Sequence, residues 1–386
     1  MAAVAIRTGL IVVAVAGLAA CSPGRPASPQ PSAATTRAAV ATASAPATSV
    51  TAEPTDSGGR LGPAPFIRSL WFVDRTHGFA ATGTGISATA DGGRTWVRVL
   101  DHPSIVQIAF VDPRHGWAVG KEQLFRTSDS GRLWRAAGEP QDPLTSVAFV
   151  SADQGWGTTN SGSVAVSADG GEHWAAQPTP GPVGSICFTG RAHGWAGGPG
   201  RVMATRDGGR HWSLAYRLPS VAEPDQGADV RCRGGSVWAF FRGSGAVSKL
   251  DYTLVRHSLG NARWTVLAHG WGFAPEAELP GAPGVPGLGD YAGPFSVLGS
   301  RVAVVLSRCV ACAPTRLGLV VIDTTRRWSG DWITALDGTE ADENTPPTFV
   351  DRFHGWVVAS RADEGSVIAA TRDGGVTWAL LPTPPS

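Results

Sequence analysis

The side chains that could do chemistry in this chain fall into three groups. The first is sulfur: of five cysteines, Cys309 and Cys312 are spaced for a local disulfide, Cys187 and Cys232 stand singly, and Cys21 follows an apolar N-terminal stretch. With Cys21 set aside an even number remains, which in an exported protein favours disulfides. A redox role for a Cys-x-x-Cys pair needs a helix start in a thioredoxin-like setting, and zinc needs a second matched ligand pair. The sequence offers neither, so no metal and no cofactor is expected. The second group is acidic and aromatic with one arginine and sits in long inserted stretches: Trp271, Phe273, Asp290, Tyr291, Arg308, Asp337 and Glu340. The third is a set of Asp and His residues that recur at fixed spacing. That recurrence argues for structure, because an active site is seldom copied into every unit of a repeat.

The recurring residues belong to two motifs. Thr89-Ala90-Asp91-Gly92-Gly93-Arg94-Thr95-Trp96 is repeated around Asp129 to Trp134, Asp169 to Trp174, Asp207 to Trp212 and Asp373 to Trp378. In a tight turn between two strands the Asp accepts from turn N–H groups, the Gly supplies a positive φ, and the Trp opens the next strand and packs back. Upstream of each copy runs a second motif, such as Phe110-Val111-Asp112-Pro113-Arg114-His115-Gly116-Trp117, with Phe and the aromatic seven residues apart. Apolar run, turn and aromatic run read as a hairpin, and its His reads as a turn residue. Each unit is therefore four strands, A to D.

The Ser/Thr-x-Asp-x-Gly-x-x-Trp motif resembles the Asp-box, or BNR, repeat of sialidases, of certain glucanases and of the photosystem II assembly-factor family of propellers. Two eroded units complete the series, one keeping only Trp264 and one keeping Asp323 and Trp328 without the Gly. The seven box Trp residues are then 38, 40, 38, 52, 64 and 50 residues apart. A period near 40 with four strands predicts an all-β, seven-bladed propeller of four-stranded antiparallel blades over residues 61–386. Cys187 and Cys232 fall near the innermost strands of adjacent blades, within reach of a bridge. How the ring closes is left open, with residues 61–66 and 380–386 as the segments able to contribute.

In such a ring the A–B and C–D turns share one face, and the B–C and D–A loops share the other. Four insertions enlarge the second face: residues 216–229, 268–295, 307–316 and 335–347. Loops of this length are often functional, and the second group of residues forms an expected binding rim over blades 5 to 7. Of the fifteen Trp, Trp271 is the one in a long rim loop.

The N-terminus reads as an address. Arg7 precedes the apolar stretch Gly9 to Gly17, too short for a stable span. Leu18-Ala19-Ala20-Cys21 resembles the bacterial lipobox, which implies cleavage of a signal peptide (1–20) and lipidation of Cys21. Residues 21–60, rich in Ser, Thr, Ala and Pro, predict a disordered tether. The 39 residues after Cys21 span on the order of 35 Å as a flexible coil. The chain carries 32 basic and 31 acidic side chains, with no basic stripe, so no nucleic-acid partner is expected.

These features predict a monomeric, exported protein anchored by lipid to the outer face of the bacterial cytoplasmic membrane. Its expected role is that of a non-enzymatic scaffold for a protein partner or an envelope polysaccharide, with no catalytic residue assigned. The alternative is a glycoside hydrolase. That chemistry would need paired carboxylates such as Asp290 and Glu340, or a Tyr nucleophile drawn from only three Tyr.

Overall fold

In the computed structural model, which describes residues 65–385 apart from 139, 180, 219–226, 244–251, 262, 271–290, 310–311, 325–327, 342–344 and 362–364, the units fold as seven antiparallel sheets arranged as a propeller. Blade 1 shows the common plan: strand A is Ile67–Phe72, B is Gly78–Thr82, C is Gly85–Thr89 and D is Val97–Asp101. Blade 7 departs from it. Its innermost strand is split into Glu340–Ala341 and Thr348–Phe349, both paired with strand B, Gly355–Arg361.

Burial follows position in the blade. Strand B of blade 2, Gly116–Gly120, is buried at every residue because neighbouring blades cover both of its faces, whereas strand D of blade 1 is largely open. The Phe and Gly of the upstream motif are one device. Phe110 lays its ring over Gly116, where a Cβ would lie 2.6 Å from a ring carbon, and Gly155 beneath Phe149 and Gly355 beneath Phe349 repeat the arrangement. A Gly116→Ala substitution is therefore expected to destabilise the fold by about 1–3 kcal/mol through overpacking. Chemical denaturation measures this, and an unchanged midpoint would contradict it.

The joints between blades are aromatic. The strand-B aromatic of one blade stacks on the strand-A Phe of the next: Trp117 on Phe149 and Trp156 on Phe188 at 3.6 Å, and Phe79 on Phe110 at 4.8 Å. The Trp that opens strand D meets the same Phe edge-on, as Trp174 does Phe149 at 6.0 Å. Trp117 and Trp156 also donate Nε1 to the carbonyls of Gly170 and Gly208 in the next blade. At the joint of blades 4 and 5, Cys232 takes the register position of that Phe and is disulfide-bonded to Cys187.

The ring closes on the same joint. Trp356 of blade 7 stacks on Phe72 of blade 1 at 3.6 Å and donates Nε1 to Gly92 O at 3.0 Å. Among the described residues no strand is shared across the seam, and blade 7 ends on its own strand D, Ala379–Leu381. The residues beyond it reach over blade 1: Trp96 Nε1 donates to Pro382 O at 3.0 Å and Arg98 Nη2 to Pro385 O at 2.9 Å. At the other edge Ile67 N donates to Ser366 Oγ at 2.8 Å, and Arg75 pairs with Asp351 at 2.9 Å.

The four insertions are shorter than their sequence bounds. Tyr216 lies on strand D of blade 4 and packs against Phe241 and Trp264. Ala268 and Phe295 are buried core residues of strands Trp264–Gly270 and Tyr291–Val297. Strand Val302–Cys309 carries Ser307 and Arg308, and Arg316 opens the next strand. Within 335–347 lie the end of a 3-10 turn, Thr334–Leu336, and the short strand Glu340–Ala341. In each case apolar contacts or ladder pairing extend the blade into residues whose composition reads as loop.

Candidate functional site

The A–B and C–D turns dock onto each other on one face. Gly92 N donates to Thr76 O, Gly170 N to Asp153 O and Gly374 N to Phe353 O, at 2.7–2.9 Å. Within the C–D turn of blade 1, Asp91 Oδ1 accepts from the Arg94 and Thr95 N–H groups at 2.8 and 2.9 Å and from Thr89 Oγ1 at 2.8 Å. Gly92 and Gly93 have φ of 78° and 95°, which lets the backbone wrap the carboxylate. Asp129, Asp169, Asp207 and Asp373 repeat this geometry, with His173 Nδ1 and His211 Nδ1 completing the shell of Asp169 and Asp207. In the A–B turns, Asp74 accepts from the N–H groups of Thr76 and His77 and lies 2.9 Å from His77 Nδ1.

These environments hold the carboxylates ionised. The His211 backbone and ring hold Asp207 down at about 2, and the Thr377 hydroxyl and N–H do the same for Asp373 at about 2. For Asp169, burial pushes upward and is outweighed by the His173 backbone and ring, leaving it at about 2. The Thr95 hydroxyl and N–H lower Asp91 further. A carboxylate in this state cannot donate a proton near neutral pH, and its lone pairs are occupied. Asp323 closes strand C of blade 6 and is engaged in its own interaction, while residues 325–327 of that turn lie outside the described residues.

On the opposite face the structure gathers part of the expected rim. Tyr291 opens strand A of blade 6 and is the register partner of Arg308 on strand B. Cys309 and Cys312 are disulfide-bonded at the mouth of that blade's B–C hairpin. Gly338 N donates to Thr315 O at 2.8 Å, which ties the segment bearing Asp337 to the hairpin. The strand carrying Arg308 lies against Glu340–Ala341. Asp337 Oδ1 is buried and has no hydrogen-bond partner among the described residues. Tyr291, Arg308, Asp337 and Glu340 thus share one end of blades 6 and 7. Trp271, Phe273, Asp290 and the lipidation residue Cys21 lie outside the described residues.

Residue types and spacing alone passed over a basic group on the turn face, at the joint of blades 5 and 6. There Arg256 donates Nε to Ser300 O at 2.8 Å, next in the chain to Arg301. The signal in the sequence is the loss of the box Asp from the unit that keeps only Trp264.

No family model matches the chain, and no curated protein matches it. Solved structures do. The chain is similar to YCF48 bound to D1 peptide, at 16% identity and a TM-score of 0.53, covering 80% of this chain and 94% of that one. It is similar to YCF48 from Cyanidioschyzon merolae at 15% identity and a TM-score of 0.54, covering 81% and 97%. It is also similar to an ancestral GH74 enzyme at 14% identity and a TM-score of 0.55, covering 83% of this chain and 46% of that one. At these identities the likeness is one of fold.

Proposed function

We propose that this chain is an exported, lipid-anchored Asp-box propeller that acts at the cell envelope as a non-enzymatic scaffold, holding a protein partner on its long-loop face. The observation that carries this reading is that the repeated carboxylates are bound as ionised acceptors inside their own turns. Recognition then falls to the loop ends of blades 5 to 7, where Tyr291, Arg308, Asp337 and Glu340 share one end of blades 6 and 7. The two disulfides support an extracytoplasmic setting. The likeness to a YCF48 structure with a bound D1 peptide supports a propeller that receives polypeptide.

The test is photo-crosslinking of the lipid-anchored protein in its own membrane, comparing wild type with a Trp271→Ala, Tyr291→Ala double variant. Loss of one defined partner from the variant, at unchanged thermal stability, is the expected result. Equal capture by both forms would overturn the rim. The likeness to a GH74 enzyme supports the hydrolase reading. Turnover of a sialoside or β-glucan that disappears in Asp290→Asn or Tyr291→Phe would replace the scaffold with that reading.

A further inference from the structure

The joint between blades 5 and 6 combines three features on the turn face. The first is a stranded donor. Trp238 pairs with Arg256 across strands B and C of blade 5, as Trp117 pairs with Arg126 in blade 2. Trp117 gives its Nε1 proton to Gly170 O of the next blade at 2.8 Å. Trp238 is 0% exposed, and its Nε1 has no hydrogen-bond partner among the described residues. An indole N–H can only donate, so burying it unpaired is unfavourable.

The second is a missing anion. Arg126 faces the Glu172 carboxylate of the next blade at 2.7 Å. Among the described residues its counterpart Arg256 meets neutral acceptors, Ser300 O and Ser236 Oγ, each at 2.8 Å, and lies 5.6 Å from the centre of the Trp238 ring.

The third is a second cation. The residue whose carbonyl receives the C–D turn of blade 6 is Arg301, which accepts from Thr324 N at 2.9 Å, as Arg114 accepts from Ser130 N in blade 2. Burial and the neighbouring Arg301 charge together hold the Arg256 guanidinium below its ordinary value. Arg233 reaches over the same joint, with Nη1 on Val297 O at 3.1 Å. The nearby carboxylate of Asp323 is engaged in an interaction of its own.

We propose that this joint is an oxyanion site that takes a phosphate group, with oxygens accepting from Trp238 Nε1, Arg256 and Arg301. The donors come from strand B, strand C and a turn of the next blade, so they do not share one plane. A tetrahedral dianion answers that geometry and balances two guanidiniums, whereas a planar carboxylate answers one fork. The ligand supplies at this joint the anion that Glu172 supplies between blades 2 and 3. Free phosphate and the phosphate of a glycerol-phosphate polymer or headgroup share this chemistry. The site lies on the face opposite the proposed rim and does not depend on it.

The test uses the purified full chain labelled with 15N at tryptophan, with the Trp238 indole resonance identified by its loss in Trp238→Phe. Titration with inorganic phosphate is expected to shift that resonance saturably, and Arg256→Gln and Arg301→Gln are each expected to raise the midpoint at least tenfold. Arg301 is exposed, so its variant retains the fold even where Arg256→Gln perturbs it. Glycerol 1-phosphate is titrated in parallel. A lower midpoint than inorganic phosphate identifies a polymer or headgroup as the source, and an equal or higher one identifies free phosphate. The proposal is overturned by no saturable shift up to about 10 mM phosphate, by an undiminished response in Arg301→Gln, or by acetate saturating the site as tightly as phosphate.

Discussion

Replacing Trp356 by alanine is expected to lower the melting temperature by about 10 °C. The side chain is 4% exposed, stacks on Phe72 with ring centres 3.6 Å apart, and donates Nε1 to Gly92 O at 3.0 Å. Removing a buried Trp of this kind costs about 3–5 kcal/mol, from lost burial and from the cavity left behind. In a domain of this size each kcal/mol is worth about 2–4 °C. The loss falls on the seam, where Ile67, Leu70, Phe72, Val358 and Ile368 form a shared core and no strand among the described residues crosses from one blade to the other.

Trp356→Phe separates the two contributions. It keeps a ring to stack and forfeits only the indole hydrogen bond, at about 1 kcal/mol. Phe79 already stands at the equivalent position in blade 1, stacked on Phe110 at 4.8 Å. Differential scanning calorimetry of both variants, with Trp117→Ala as an internal joint for comparison, measures the effect. A Trp356→Ala midpoint indistinguishable from wild type would mean that the tail contacts at Pro382 and Pro385 close the ring without it.

What could be read from residues alone depends on whether a side chain carries the interaction. The Phe, Gly and Trp of the repeated hairpin are visible because each meets a steric demand. Phe110 needs the bare Cα of Gly116, and Trp117 needs a flat Phe149 to lie on. Asp91 and Gly93 are legible for the same reason, since a turn that wraps a carboxylate requires positive φ. Ring closure was not legible. The acceptors that receive Trp96 and Arg98 are main-chain carbonyls of Pro382 and Pro385, and a carbonyl has no signature in the sequence.

The edges of the insertions are hidden in the sequence for a related reason. A Gly/Pro-rich stretch reads as loop, yet the burial of Ala268 and Phe295 between blades 5 and 6 decides that they belong to strands. Glu340–Ala341 is too short to show any period, and its pairing with Ser360 and Ala359 becomes apparent only once blade 7 is in place. The candidate rim was legible as a set of residue types, whereas the neighbourhood of Arg308 with Tyr291 and Glu340 depends on strand register. That Arg301 stands where the C–D turn docks becomes apparent only through the hydrogen bond from Thr324 N to its carbonyl.

Acid should unfold this protein through its turns. Asp169, Asp207 and Asp373 are each lowered from 3.8 to about 2, and Asp74, Asp91, Asp112, Asp129 and Asp351 are lowered as well. The folded state therefore binds protons less readily than the unfolded chain, and their contribution is fully present above the unfolded value of about 4. As pH falls through the folded values, each protonated carboxyl loses its hold on two or more N–H donors and the contribution disappears. The melting temperature is expected to be level with respect to these groups down to about pH 5 and to fall steeply between about pH 4 and pH 2. Because the turns sit in five blades and brace the A–B turns beneath them, the losses combine within one cooperative unit. The double variant Asp207→Asn, Asp373→Asn is expected to start lower at pH 7 and to lose less on acidification, since two of the titrating acceptors are gone. Calorimetric melting from pH 7 to pH 2 checks both statements. An acid drop as large in the variant as in wild type would remove the turn carboxylates from the account, and would place the acid sensitivity in groups that do not hold these turns.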